Sequence, residues 1–168
     1  MTRILEPQTL TAEAFALFGD VLAADGPPDQ IINQGMCGRF HDKAMCDFAD
    51  GHAGISVFDA KARPLPCKLD MMERHPLGSQ AFLPMHQNPY LVIVARDQNG
   101  APDTPVVFLA KPGQGVNYHR NTWHGVLCPL SDPGLFAVVD RIGEGSNLEE
   151  HWFDEPWTIS AETKDENK

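Results

Sequence analysis

Glu73-Arg74-His75-Pro76-Leu77-Gly78-Ser79-Gln80-Ala81-Phe82 is the stretch on which the fold turns. Glu73 and His75 are two residues apart, so on a strand both side chains leave the same face. Pro76-Leu77-Gly78 is a turn signal. Gln80 then opens a second strand, within the run Ser79 to Leu83. A strand, a tight turn and a second strand in so few residues can aim three polar groups into the mouth of a β-barrel.

The flanking text supports such a barrel. Short β-rich runs recur between Gly, Pro, Asn and Asp: Val21 to Ala23, Gln30 to Asn33, Ile55 to Phe58, Tyr90 to Ala95, Val106 to Ala110, Gly125 to Leu127 and Leu135 to Asp140. The 14 prolines and 14 glycines fall mostly between these runs. Short strands with regular turn signals predict an all-β, antiparallel barrel with one or two short helices. Strands do not alternate with long helices, which argues against a doubly wound parallel sheet. The clear helix spans Thr11 to Phe18, with Thr11 as N-cap, Glu13 in the first turn and Gly19 closing it. Asn99-Gly100 predicts a hairpin joining Tyr90–Ala95 to Val106–Ala110. Residues 1–159 form one domain in this reading, and 160–168 a flexible polar tail.

Composition narrows the function. The chain has 168 residues, and its net charge of −10 comes from 13 basic and 23 acidic side chains. Phosphate backbones need a basic face, so nucleic acid is excluded as a partner. No apolar run approaches the roughly 20 residues that span a bilayer, and Met1-Thr2-Arg3-Ile4 does not open a secretory signal. A cytoplasmic location is the expectation. Cys37, Cys46, Cys67 and Cys128 form no C-x-x-C pair and read as free, buried or half-buried thiols. No surrounding motif makes any of them a nucleophile.

Four stretches carry polar residues of catalytic type: Gly38 to Asp42, Met72 to Phe82, Gly115 to His124 and Val139 to Arg141. Metal-binding cupins place a His-x-His pair, a following Glu and one later His in a comparable layout. Overlaid here, that pattern puts Glu73, His75, Gln80 and His124 at the ligand positions. Imidazole and carboxylate suit a divalent transition metal, whereas a neutral Gln binds weakly. Asn117 and His119 share one face of a strand in this reading, with Trp123 and His124 just before the next. Arg39, Arg74 and Arg141 are candidates for a carboxylate, because guanidinium binds one bidentately. Arg3 and Arg63 carry no functional reading. An oxygenase or isomerase of the same fold, a non-catalytic small-molecule-binding cupin and a regulatory barrel all stay open on residues alone.

Three passages narrow the field: Arg39-Phe40-His41-Asp42, Glu73 to Pro84, and Gly113 to His124 followed by Asp140-Arg141. With Ala14-Phe15 and Phe18-Gly19-Asp20-Val21, they make the chain resemble the ureidoglycolate lyase family over residues 4 to 158. The resemblance implies a cupin-like barrel, a homodimer, and cleavage of (S)-ureidoglycolate to glyoxylate and urea in allantoin and purine degradation. It implies a requirement for, or stimulation by, nickel, or possession of another divalent metal, which the overlaid set Glu73, His75, Gln80 and His124 would hold; no organic cofactor is expected. The acid–base residues would be His75, His124 and Glu73. The small anionic substrate would meet Arg74, Arg39, Gln80, Asn117, His119, Trp123 and Arg141.

Overall fold

The structure is a computed structural model that describes residues 3–164. In chain order the strands are β1 (Ile4–Leu5), β2 (Gln8–Thr9), β3 (Gly19–Leu22), β4 (Gln30–Ile32), β5 (Cys37–Arg39), β6 (His52–Asp59), β7 (Cys67–Arg74), β8 (Gln80–Pro84) and β9 (Tyr90–Ala95). There follow β10 (Asp97–Gln98), β11 (Ala101–Pro102), β12 (Val106–Ala110), β13 (Gly115–Tyr118), β14 (Trp123–His124), β15 (Cys128–Pro129), β16 (Leu135–Ile142) and β17 (Glu149–Ile159). One α-helix, α1 (Ala12–Phe15), and a 3-10 turn at Asn33–Gly35 complete the set.

Two sheets face each other. One has the order β1-β17-β7-β14-β9-β12-β2, with β15 also on β9; the other runs β3-β13-β8-β16-β6. Pairing is antiparallel apart from the short β1 and β2, so the fold is the expected all-β, cupin-like one. Two of the places where the chain changes sheet are the turns between β7 and β8 and between β13 and β14. Asn121 N donates to His75 O across these turns at 2.9 Å. Each of the two long motifs therefore supplies residues to both sheets.

Strand β9 explains its own composition. Tyr90, Val92 and Val94 join one core cluster, while Leu91, Ile93 and Ala95 join the other. A strand buried on both faces reads as a continuous apolar run rather than an alternation. Its fully buried side chains are worth about 1.5–3 kcal/mol each. The predicted hairpin to β12 forms in register, Val94 opposite Val106 and Tyr90 opposite Ala110. Its tip is a smaller hairpin of β10 and β11, turning at Asn99 (φ 57°) and Gly100 (φ 87°). Two consecutive positive φ angles are what an Asn-Gly turn accommodates.

The helix is shorter than the sequence suggests. Thr11 caps it as expected, its side-chain oxygen accepting from Ala14 N at 3.1 Å. Gly19 does not close it but starts β3, where a Cβ would meet the carbonyl oxygen of Asn117 at 2.0 Å. Backbone-to-backbone contact there requires glycine. The expected strand Gly125–Leu127 does not form: the ladder breaks between β14 and β15, and these three residues line a cavity instead. Strand β17 escaped the sequence reading because it is charged, contains Pro156 and shifts register between Trp152 and Trp157. Ser160 N and Lys164 N donate to Leu5 O and Pro7 O. Residues 165–168 of the expected tail lie outside the described residues. Of the four cysteines, Cys37 and Cys46 are exposed rather than buried, because the β4–β5 region stands off the core.

Candidate active site

Register decides which polar residues meet. His124 on β14 pairs with Glu73 on β7 in one sheet. Tyr118 on β13 pairs with Gln80 on β8 in the other. Gln80 Nε2 donates to Asp140 Oδ2 on β16 at 3.2 Å. Glu73, Gln80, Tyr118 and His124 line one open cavity of about 680 Å³, closed on a further side by Gly125, Val126 and Leu127. A volume of this order suits a small-molecule site.

His75 stands behind Glu73, its Nε2 3.9 Å from Glu73 Oε1. Its ring centroid lies 5.2 Å from that of His124. Both imidazoles are oriented by backbone carbonyls. His75 Nδ1 lies 2.7 Å from Asn147 O, and His124 Nδ1 lies 3.1 Å from Gly125 O. A carbonyl only accepts, so each Nδ1 carries a proton, and in the neutral ring Nε2 presents a lone pair. Both Nε2 atoms are buried without a partner, as are Gln80 Oε1 and Asp140 Oδ1. Tyr118 stacks on His124 at 4.4 Å with a 4° interplanar angle and fixes that ring.

Electrostatics follow from this burial. Desolvation, reinforced by the neighbouring His75, pushes the His124 pKa down to about 3, so the ring is neutral at physiological pH. Desolvation raises the Glu73 carboxyl above its usual range; His75 acts in the opposite sense, and Glu150 adds to the rise. One ligand atom from each of Glu73, His75 and His124 lies within 4.8 Å of the others. Two inward-turned imidazole lone pairs beside a carboxylate fit a divalent transition metal. The backbone carbonyls of Asn147 and Gly125, accepting from the two Nδ1–H groups, complete that fit.

The remaining expected site residues lie elsewhere. Arg74 points away from the cavity, bonded to Asp97 (2.7 Å) and Glu149 (2.6 Å) and stacked on Trp123 at 4.4 Å. Trp123 Nε1 donates to the same Asp97 carboxylate at 2.9 Å. Asn117 and His119 turn to the outer face, where Asn117 Nδ2 donates to Asp20 Oδ2 and His119 pairs with Asp20 at 3.4 Å. Arg141 is buried on that face, donating to Asp50 and to Glu144 O. Arg39 ends β5 in the exposed β4–β5 hairpin. Strand parity is the reason: Val116 and Tyr118 join the core cluster on the inward face of β13, and Asn117 does not. That apolar pair, Val116 and Tyr118, was the signal in the sequence. Asp140 beside Gln80 had no such signal.

A curled barrel that buries paired lone pairs at the wall of one small-molecule cavity defines an enzyme of the cupin type. The profile of the ureidoglycolate lyases matches residues 2–160. A ureidoglycolate lyase of Rhodobacter capsulatus is 61% identical over 159 residues, covering 94% of this chain and 98% of its own. One from a Chelativorans species is 52% identical, covering 93% and 94%, and one from Mesorhizobium japonicum 47%, covering 95% and 98%. The chain belongs to the ureidoglycolate lyase family.

Proposed function

We propose that this protein cleaves ureidoglycolate to glyoxylate and urea. The observation that carries the reading is the buried Glu73, His75 and His124 group opening on the cavity. In the substrate one carbon bears a hydroxyl, a carboxylate and the ureido nitrogen. The hydroxyl proton leaves, the C–O bond becomes a carbonyl, the C–N bond breaks, and the nitrogen takes a proton. Glu73 is the proton carrier: it faces the cavity and its raised pKa brings it nearer to operating pH. The ureido N–H groups would complete the unpartnered acceptors Gln80 Oε1 and Asp140 Oδ1.

His75, His124 and one oxygen of Glu73 would hold a divalent metal, nickel in our reading; the second Glu73 oxygen stays free for the proton. Such an ion, when bound, supplies Lewis acidity that lowers the hydroxyl pKa. The test is product analysis with racemic ureidoglycolate. We expect urea and glyoxylate in equal amounts, no ammonia, loss of turnover after chelation and its return with nickel. Ammonia in place of urea would overturn the reaction, and full activity after chelation would overturn the metal.

We place the protein in the cytoplasm, where its four unpaired thiols stay reduced. We also propose a homodimer. Ile55, Val57 and Leu83 lie exposed on the outer sheet face, Val57 and Leu83 both opposite Ala137. Ile31, Ile32 and Met36 are exposed at the β4–β5 hairpin. Two apolar features on one chain suit burial against a second copy. Val57→Asp, which puts a charge on that face, should shift the sedimenting species from dimer to monomer. A wild-type monomer would end the proposal.

A further inference from the structure

A carboxylate substrate needs a cation, and none of the motif arginines reaches the cavity. Arg74 and Arg141 are held by carboxylates, Arg120 pairs with Asp47, and Arg39 sits on the hairpin. The cations that do line the cavity are Lys61 and Arg63, which share it with Glu73, Gln80 and His124. Both lie in the segment between β6 and β7, outside every motif read from the sequence. We propose that Arg63, seconded by Lys61, is the clamp for the substrate carboxylate; this rests on the ureidoglycolate reading above.

Three features support the assignment. Neither side chain is paired with a carboxylate among the described residues, so both charges are available. The backbone that carries them is pinned: Ala60 N donates to Gly134 O at 2.9 Å, Ala62 N to Asp132 Oδ1 at 3.2 Å and Arg63 N to Pro129 O at 2.8 Å. A cation on a tethered segment loses less freedom on binding than one on a free loop. The charge balance also fits. The same cavity carries Glu73 and the acceptors of Gln80, which suit the hydroxyl and ureido groups but repel a carboxylate. A substrate with both kinds of group is thereby oriented one way round, its carboxylate toward β6–β7 and its hydroxyl toward Glu73.

The role is binding and orientation, so its signature is in KM. For Arg63→Ala we expect KM to rise by about 10- to 100-fold, the loss of a hydrogen-bonded contact to a charged group. Arg63→Lys should recover part of it, because it keeps the charge but not the fork. Lys61→Ala should cost less. Melting temperature and metal content should stay at wild-type values. In parallel, the affinity of oxamate, an unreactive carboxylate, is measured by titration calorimetry and should weaken in Arg63→Ala by a similar factor. Wild-type KM and oxamate affinity in the Arg63→Ala, Lys61→Ala double variant would overturn the clamp. Arg63-dependent oxamate binding by a wild-type protein that makes no urea would support the clamp and overturn the reaction instead.

Discussion

Glu73→Gln is expected to lower kcat by about 10²- to 10⁴-fold, the range for losing a positioned acid–base group, while the metal-free protein melts no lower than metal-free wild type. The two halves of this result come from one cause. Burial raises the Glu73 pKa, which means that the charged carboxylate is less favourable in the folded chain than in the unfolded one. With a folded pKa above the unfolded value, the group favours the folded state at low pH and loses that contribution as pH rises through the folded pKa. At neutral pH the buried charge is a cost, and the neutral amide of nearly equal shape removes it. A residue kept for packing would behave in the opposite way, losing stability without a matching loss of turnover. Turnover of Glu73→Gln within tenfold of wild type would remove Glu73 from the chemistry.

His124→Phe is expected to abolish metal binding and to lower kcat/KM by about 10³-fold or more. Phenylalanine keeps a planar ring against Tyr118, whose stacking at 4.4 Å needs no nitrogen. It removes one of two convergent lone pairs and the bond to Gly125 O. His75→Ala should give the same metal loss, and the double variant little more than either alone, since residues acting as one unit are not additive. Metal content by mass spectrometry and far-UV circular dichroism separate this from misfolding. If His124→Phe retained a full equivalent of bound nickel, the imidazole pair would not be the metal centre.

How much of this was readable beforehand depends on the range of the signal. Apolar runs and turn residues act within a few positions, so β9, β12 and their Asn-Gly hairpin were visible, as was the all-β class. Strand β17 was hidden because its stability comes from pairing with β7, residues 67 to 74, and not from its own charged, proline-containing text. Within the site, Glu73, His75, Gln80 and His124 were legible because each flanks a turn that carries the chain between sheets. Asn117 and His119 share a face by alternation, but that face is the outer one; the core packing of Val116 and Tyr118 marks the inside.

The sequence by itself determined the family, the barrel class and the residues that gather beside the two turns, because those are properties of local pattern and motif. Only the tertiary structure decided which arginines are spent on Asp50, Asp97 and Glu149. It likewise decided that Lys61 and Arg63 line the same cavity as Glu73. An ion pair between residues 75 or 91 positions apart leaves no periodic trace in the chain. Whether a guanidinium is neutralised or free is settled by what the fold brings beside it.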